Sequence, residues 1–535
     1  MHCHQLRVSF LSFLSFLAAA PLANFATSLA RPWDDIRVKH TWNAVPPDWD
    51  ALGHPPAGAT IDLHVALKAH NENALTDALY RVSDPRSLKH VLSNTLPRTI
   101  YSRVPLLRRR YGEHLSKEQV AQLVAPHPDT LELIYSWLEH HGVPSSSIST
   151  THGGSWLTLT GVPVTQANKL LGASYKLYRP IGTNDTAILR TIGYALPAVL
   201  HTHVQTVAPT TYFASTRSLW QTQQRRSIRE TPDMASRELV TTLSSRVVRV
   251  TPSDLRWLYK TSGYVPVATD RNKIGITGFL NDYPSPVDLA MYMTEYRSIA
   301  VPATYLVEPI NGGKDDPTHP SAEANVNMQL TQAMAYPTPN IFYSTGGNIR
   351  FENKKPGTGD VWMEWLNYVL SQPNVPQTIV TPYSNYERNF PLEYTTTLCR
   401  LFAQLGLRGA SVIVTSGNKG VGPEDCVAKD GSGRVQFMPE FPSTCMCSVL
   451  FLLRRSTPSG TSRSPHRHCS AGPYVTSVGG TTGLDSEVAA MLSGGGFSNH
   501  FPRESYQDDA VLTFLKHLGS KYNGLYKCVF CRDLT

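Results

Sequence analysis

One carboxylate and two amides in this chain stand where they could do chemistry: Glu323 as a base, with Asn327 and Asn418 as hydrogen-bonding groups. Glu323 and Asn327 stand four apart in Ala322-Glu323-Ala324-Asn325-Val326-Asn327-Met328-Gln329, so on a helix they share a face. A carboxylate with an ordinary pKa of about 4.3 is a base suited to acid, where a histidine would be protonated. An amide one turn away can hydrogen-bond that carboxylate but brings no charge. The same spacing also occurs on solvated helix faces. Asn418 ends the run Ser416-Gly417-Asn418, and its side-chain NH2 donates a hydrogen bond at any pH.

The flanking patterns show what must hold these residues. Val412, Ile413 and Val414 form an apolar run short enough for a strand buried on both faces, and a helical pattern at 398–406 precedes it and ends on a glycine. Helix, buried strand and polar loop is the α/β layout, in which working groups sit beyond the carboxyl ends of the strands. Helices are expected at 251–259, 287–296, 321–334, 362–370 and 510–518. Strands are expected at 273–279, 303–307, 341–347, 377–381 and 473–481. Their alternation predicts a parallel, doubly wound sheet beginning near Val248.

Residues 31–215 read as an earlier α+β domain with an antiparallel sheet. Its strands are expected at 61–67, 156–160 and 174–178, and its helices at 72–81, after Ser116, at 128–142 and at 164–171. It carries no catalytic constellation. Residues 216–247 read as a polar linker, with Arg225-Arg226 as a candidate cleavage point. Residues 1–30 read as a signal peptide, with Arg7 ahead of an apolar centre at 10–20 and small residues after it. That centre is too short to span a membrane, so a secreted, extracellular protein is expected.

The eight cysteines suit an oxidising compartment; Cys426 and Cys445 flank a loop and could pair. Cys528 and Cys531 form a lone CxxC, which is weak evidence for a metal. Asn184-Asp185-Thr186 is a glycosylation sequon. The net charge is +8, but nine arginines lie in two acid-free segments, 90–110 and 446–472, and the rest of the chain carries −1. A nucleic-acid role is therefore excluded.

Several blocks together resemble the sedolisins, the serine-carboxyl peptidases that include the tripeptidyl-peptidases. In the first domain these are Ser83-Asp84-Pro85, Tyr111-Gly112-Glu113-His114-Leu115-Ser116 and Tyr194-Ala195-Leu196-Pro197. In the second they are Glu323-Ala324-Asn325, Tyr343-Ser344-Thr345-Gly346-Gly347, Ser416-Gly417-Asn418, the stretch 473–481 and Ser493-Gly494-Gly495-Gly496-Phe497-Ser498. The resemblance covers nearly the whole chain, and the order and spacing of the blocks carry it. It implies a subtilisin-like α/β catalytic domain at 248–535 behind a removable inhibitory prodomain at 31–215. It further implies a peptide substrate, a monomer, and no nucleic-acid or membrane partner after signal removal.

The resemblance also implies roles for single residues. In the family a serine attacks the peptide carbonyl with a glutamate as its general base, which carries over onto Glu323. An aspartate one turn on orients that glutamate, and here it is Asn327. Another, held protonated, donates to the oxyanion, and here it is Asn418, a mild change because subtilisin uses an asparagine there. The family's nucleophile, in a Gly-Thr-Ser motif, and its calcium loop lie beyond the Ser493–Ser498 block, and neither is found in these 535 residues. Gly460-Thr461-Ser462 falls ahead of the 473–481 strand, in the wrong place for a nucleophile.

Joining residue 89 to 111, or 445 to 473, restores the family pattern, which stops after Tyr526. Segments 90–110 and 446–472 are therefore expected to be insertions of intron origin, with the catalytic domain incomplete at its C-terminus. The expected function is a secreted acid serine-type peptidase, inactive in this chain. The alternative is a secreted pseudopeptidase that binds peptides or a partner protein, which Asn327 and Asn418 favour. An Asp-His-Ser triad is excluded because no His-Gly-Thr block occurs.

Overall fold

A computed structural model describes residues 32–83, 112–181, 187–213, 250–346, 360–445 and 474–526, apart from 47, 280, 423–425, 428–432, 485–486, 503–506 and 522–524. The signal sequence, linker, both insertions, Ser462, the sequon and the CxxC lie outside the described residues.

The first domain is built on a four-stranded antiparallel sheet in the order β4-β5-β3-β9. These are β3 (Thr60–Leu67), β4 (Ile148–Thr151), β5 (Trp156–Pro163) and β9 (Val204–Ala208). Strand alternation divides its side chains between two cores. Leu63, Val65, Leu157 and Leu159 pack with Ile134 and Trp137 of helix α3 (Pro128–His140). Ala66 and Trp156 point the other way, toward α1 (Ala74–Ser83). Helix α2 (Lys117–Val124) begins with a capping box between Ser116 and Gln119, and α4 (Val164–Leu170) follows β5. Two smaller sheets pair β1 (Ile36–Thr41) with β8 (Gly193–Pro197), and β2 (Trp49–Gly53) with β6 (Lys176–Pro180) and β7 (Ile188–Arg190). The expected α+β architecture is present.

The second domain holds a six-stranded parallel sheet in the order β11-β12-β10-β13-β15-β17. The strands are β10 (Ile274–Phe279), β11 (Tyr305–Ile310), β12 (Asn340–Thr345), β13 (Thr378–Thr381), β15 (Ser411–Thr415) and β17 (Thr476–Val478). Helix α5 (Pro252–Leu258) precedes the sheet. Ile276 and Phe342 pack against α6 (Pro286–Tyr296) and α7 (Ala322–Ala335) on one face. Phe279, Ile379, Val412 and Val414 pack against α8 (Val361–Ser371) and α9 (Leu392–Leu407) on the other. Helices on both faces of a parallel sheet match the expected doubly wound pattern. A short antiparallel pair, β14 (Asn385–Tyr386) with β16 (Glu440–Phe441), lies beyond β13, and α10 (Asp508–Leu518) ends the described fold.

Three details depart from the sequence reading. The strand expected at 473–481 shrinks to Thr476–Val478, because it is a sheet edge with all three residues exposed. Helix α9 begins at Leu392, well before its apolar pattern becomes obvious. Cys445 is bonded to Cys399 of α9, not to Cys426, because β16 returns the chain onto that helix.

The two domains share a core. Ala66, Leu79, Trp156 and Tyr212 belong to one apolar cluster with Trp362, Leu398 and Phe402. Tyr212 stacks on Phe390 and Tyr394, with ring centroids 4.8 and 4.5 Å apart. Its carbonyl accepts from Arg190 Nε at 2.6 Å, and Leu115 N donates to Leu407 O at 2.8 Å.

Candidate active site at the carboxyl edge of the parallel sheet

Glu323 lies in the first turn of α7, whose N-cap Ser321 accepts a hydrogen bond from Ala324 N at 3.0 Å. Asn327 does lie over it: its Nδ2 donates to Glu323 Oε1 at 2.9 Å and to the Glu323 carbonyl at 2.8 Å. Partial burial is the main influence on Glu323 and raises its pKa; the Asn327 amide opposes this and Asp282 adds to it. A carboxyl raised above its ordinary range is a stronger base once ionised.

Asn418 follows β15, so it stands at the same carboxyl edge as the loop leading into α7. The strands that lead to the two residues are not neighbours. Between them stand β12, β10 and β13, and two residues just past β13 reach in opposite directions. Tyr383 Oη donates to Asp282 Oδ2 at 2.7 Å, on the Glu323 side. The Ser384 hydroxyl donates to Glu440 Oε2, on the Asn418 side.

Glu440 is buried, at 3% exposure, and accepts the Asn418 backbone N–H. Burial pushes its carboxyl up to about 7, against the Ser384 and Asn418 donors and the nearby Lys419. The sequence reading missed Asp282, Tyr383, Ser384 and Glu440. None belongs to a spaced motif, and a lone acid within an apolar stretch was the only signal available.

The glycine-rich blocks meet here. Gly494 N donates to Gly417 O at 2.7 Å and Gly495 N to Gly420 O at 2.9 Å. A methyl group on Gly494 would lie 1.8 Å from the Ser416 carbonyl oxygen, so the Ser493–Ser498 block needs glycine to pass. A cavity of about 230 Å³ opens beside this junction, lined by Ser416, Ser477, Gly494, Gly495, Gly496 and Phe497. Among the described residues no three His, Cys, Asp or Glu side chains gather as metal ligands. Those residues therefore offer no carboxylate cluster for the calcium that the resemblance implies. Among the described residues, no helix is long and apolar enough to cross a membrane.

Comparison with known proteins agrees with this layout. The pro-kumamolisin activation domain family matches residues 106–213, within the first domain. Tripeptidyl-peptidase SED2 of Arthroderma otae is 30% identical over 515 residues, covering 94% of this chain and 77% of that protein. Tripeptidyl-peptidase sed4 of Aspergillus fumigatus is 28% identical over 512 residues, covering 94% and 75%. A Pseudomonas sedolisin, a serine-carboxyl proteinase solved with two molecules of pseudo-iodotyrostatin, is similar at 17% identity and a TM-score of 0.32, over 49% of this chain and 66% of that one. With an activation domain in front and a tripeptidyl-peptidase matched over three quarters of its length, this chain belongs to the sedolisin family of peptidases.

Proposed function

We propose that this protein handles peptides in acid as a secreted sedolisin-type, tripeptidyl-peptidase-like zymogen. Glu323 is its proton-transfer group, Asn327 its neutral hydrogen-bond partner, and Asn418 the donor facing the peptide carbonyl oxygen. The observation that carries the reading is the 2.9 Å hydrogen bond from Asn327 to a part-buried Glu323 at the carboxyl edge of the parallel sheet. Buried carboxyls with raised pKa values cluster at functional sites, and here they line one edge.

Cleavage needs a nucleophile that takes the peptide carbonyl while Glu323 takes its proton. Asn327 and Asn418 are amides at positions where the family carries acids. They favour peptide binding without turnover, with the first domain as the intramolecular occupant of the cleft. The test is a fluorogenic tripeptide substrate between pH 3 and 7, offered to the chain before and after removal of residues 1–247. The expected result is binding after removal, seen as fluorescence polarisation, with no release of fluorophore. Release that survives Ser462→Ala but not Glu323→Gln would show turnover and sink the non-catalytic part. Absence of binding after removal would sink the peptide reading itself.

A further inference from the structure

Asn327 leaves Glu323 hydrogen-bonded but without a charged turn-mate, and a second buried carboxyl is close by. Asp282, 3% exposed, lies in the loop after β10. Two hydrogen bonds stitch that loop to the first turn of α7. Ser321 N donates to the Tyr283 carbonyl at 3.0 Å, and Ser285 N donates to Asn325 Oδ1 at 2.8 Å. Tyr383, 1% exposed and just past β13, donates its hydroxyl to Asp282 Oδ2 at 2.7 Å. Asp282 and Tyr383 thus come from the ends of β10 and β13, and the two loop hydrogen bonds hold the Asp282 loop against the first turn of α7, which carries Glu323.

We propose that Asp282 is the acidic partner of Glu323, a positioning residue from another strand end that makes this a two-carboxyl site, with Asn327 as its neutral donor. The physical reason is that neighbouring carboxyls, here one buried and one part-buried, cannot both ionise cheaply, so the pair keeps one proton into milder pH than either would alone. Burial raises Asp282, and the Tyr383 and Ser321 hydroxyls oppose it by donating to its charged form. Burial also raises Glu323, and the Asp282 charge raises it further, with only the Asn327 side chain donating against them. Tyr383 is itself raised by burial, by Asp282 and by Glu323. Tyr283 is the other titratable group coupled to Asp282, and Asp316 faces Tyr283.

The role of the pair rests on the peptidase reading, but the pairing can be measured without turnover. The full chain, labelled with 13C at the glutamate carboxyls and assigned through Glu323→Gln, is titrated by NMR. In Asp282→Asn the Glu323 midpoint is expected to fall toward the ordinary glutamate range. Tyr383→Phe keeps the carboxyl but removes its donor, leaving Asp282 protonated more often, so it should shift Glu323 the same way by less. Near-UV circular dichroism establishes that each variant is folded. A Glu323 midpoint that stays put in both overturns the proposal. Failure of the peptide reading would instead appear as absent peptide binding after removal of residues 1–247, with the titration coupling of the full chain intact.

Discussion

Gly417 has no room for a side chain. Its φ is +99°, in the region that favours glycine, and a β-carbon there would lie 2.3 Å from the Glu440 carboxyl carbon. That close approach lets the buried carboxyl accept the Asn418 N–H, so the orientation of the turn depends on it. Gly417→Ala must either push Glu440 off Ser384 or unwind the turn. The expected cost is at least about 2 kcal/mol, combining backbone strain with a broken buried hydrogen bond. Urea unfolding measures it, and a change below about 0.5 kcal/mol, the scatter of ordinary surface substitutions, would refute the argument.

At the scale of elements, α9 is fastened twice. Its apolar face lies in the core shared by both domains, and Cys399, 2% exposed, is bonded to Cys445, 0% exposed. The bond spans 46 residues, including the Asn418 loop, β16 and the Glu440 carboxyl. Closing a loop of that length removes unfolded-state entropy worth roughly 4 kcal/mol in the chain-entropy description. Replacing both cysteines by serine should lower stability by about 3–4 kcal/mol and loosen the 416–441 region first. Amide hydrogen exchange reads both effects. Equal loss of protection across the two domains would mean that the bond does not specifically hold the Asn418 side. The β17 edge, paired with β15 on this same side, is less protected among the described residues, since Val478 is 50% exposed and Met491, further along the chain, is 90% exposed. An open edge with apolar side chains invites pairing with another chain.

For the whole molecule, buried carboxyls set the pH response. Asp360 caps α8 at the boundary between the domains, where Tyr394 and Met363 N donate to it. Burial pushes it up to about 6, against those donors and the Arg190 guanidinium. Glu440 is pushed up to about 7. A raised folded-state pKa means that the folded chain holds its protons longer than the unfolded one. Stability is then complete below the ordinary carboxylate range and is lost as pH rises through about 6 for Asp360 and about 7 for Glu440. At about 1.4 kcal/mol per pKa unit, each is worth on the order of 3 kcal/mol. The fold should be several kcal/mol more stable at pH 4.5 than at pH 8, by urea unfolding. Glu440→Gln should flatten the upper part of that slope, and a slope of the opposite sign would show that other groups dominate.

The sequence by itself determined the local elements and their polarity. The 3.6-residue pattern with Trp137 and Leu138 marked α3, Ser116 with Gln119 marked the start of α2, and the Val412–Val414 run marked strand β15, although only the face of Val412 and Val414 is fully buried and Ile413 is part-buried. The four-residue spacing of Glu323 and Asn327 was enough to place one beside the other, because helix geometry converts that spacing directly into contact. Only the tertiary structure decided the rest. Tyr383 reaches Asp282 across 101 residues of sequence and Ser384 reaches Glu440 across 56, because the sheet order puts β13 between β10 and β15. The partner of Cys445 and the core joining the two domains were settled the same way. Such pairings depend on which strands lie side by side, and spacing along a chain does not encode that order.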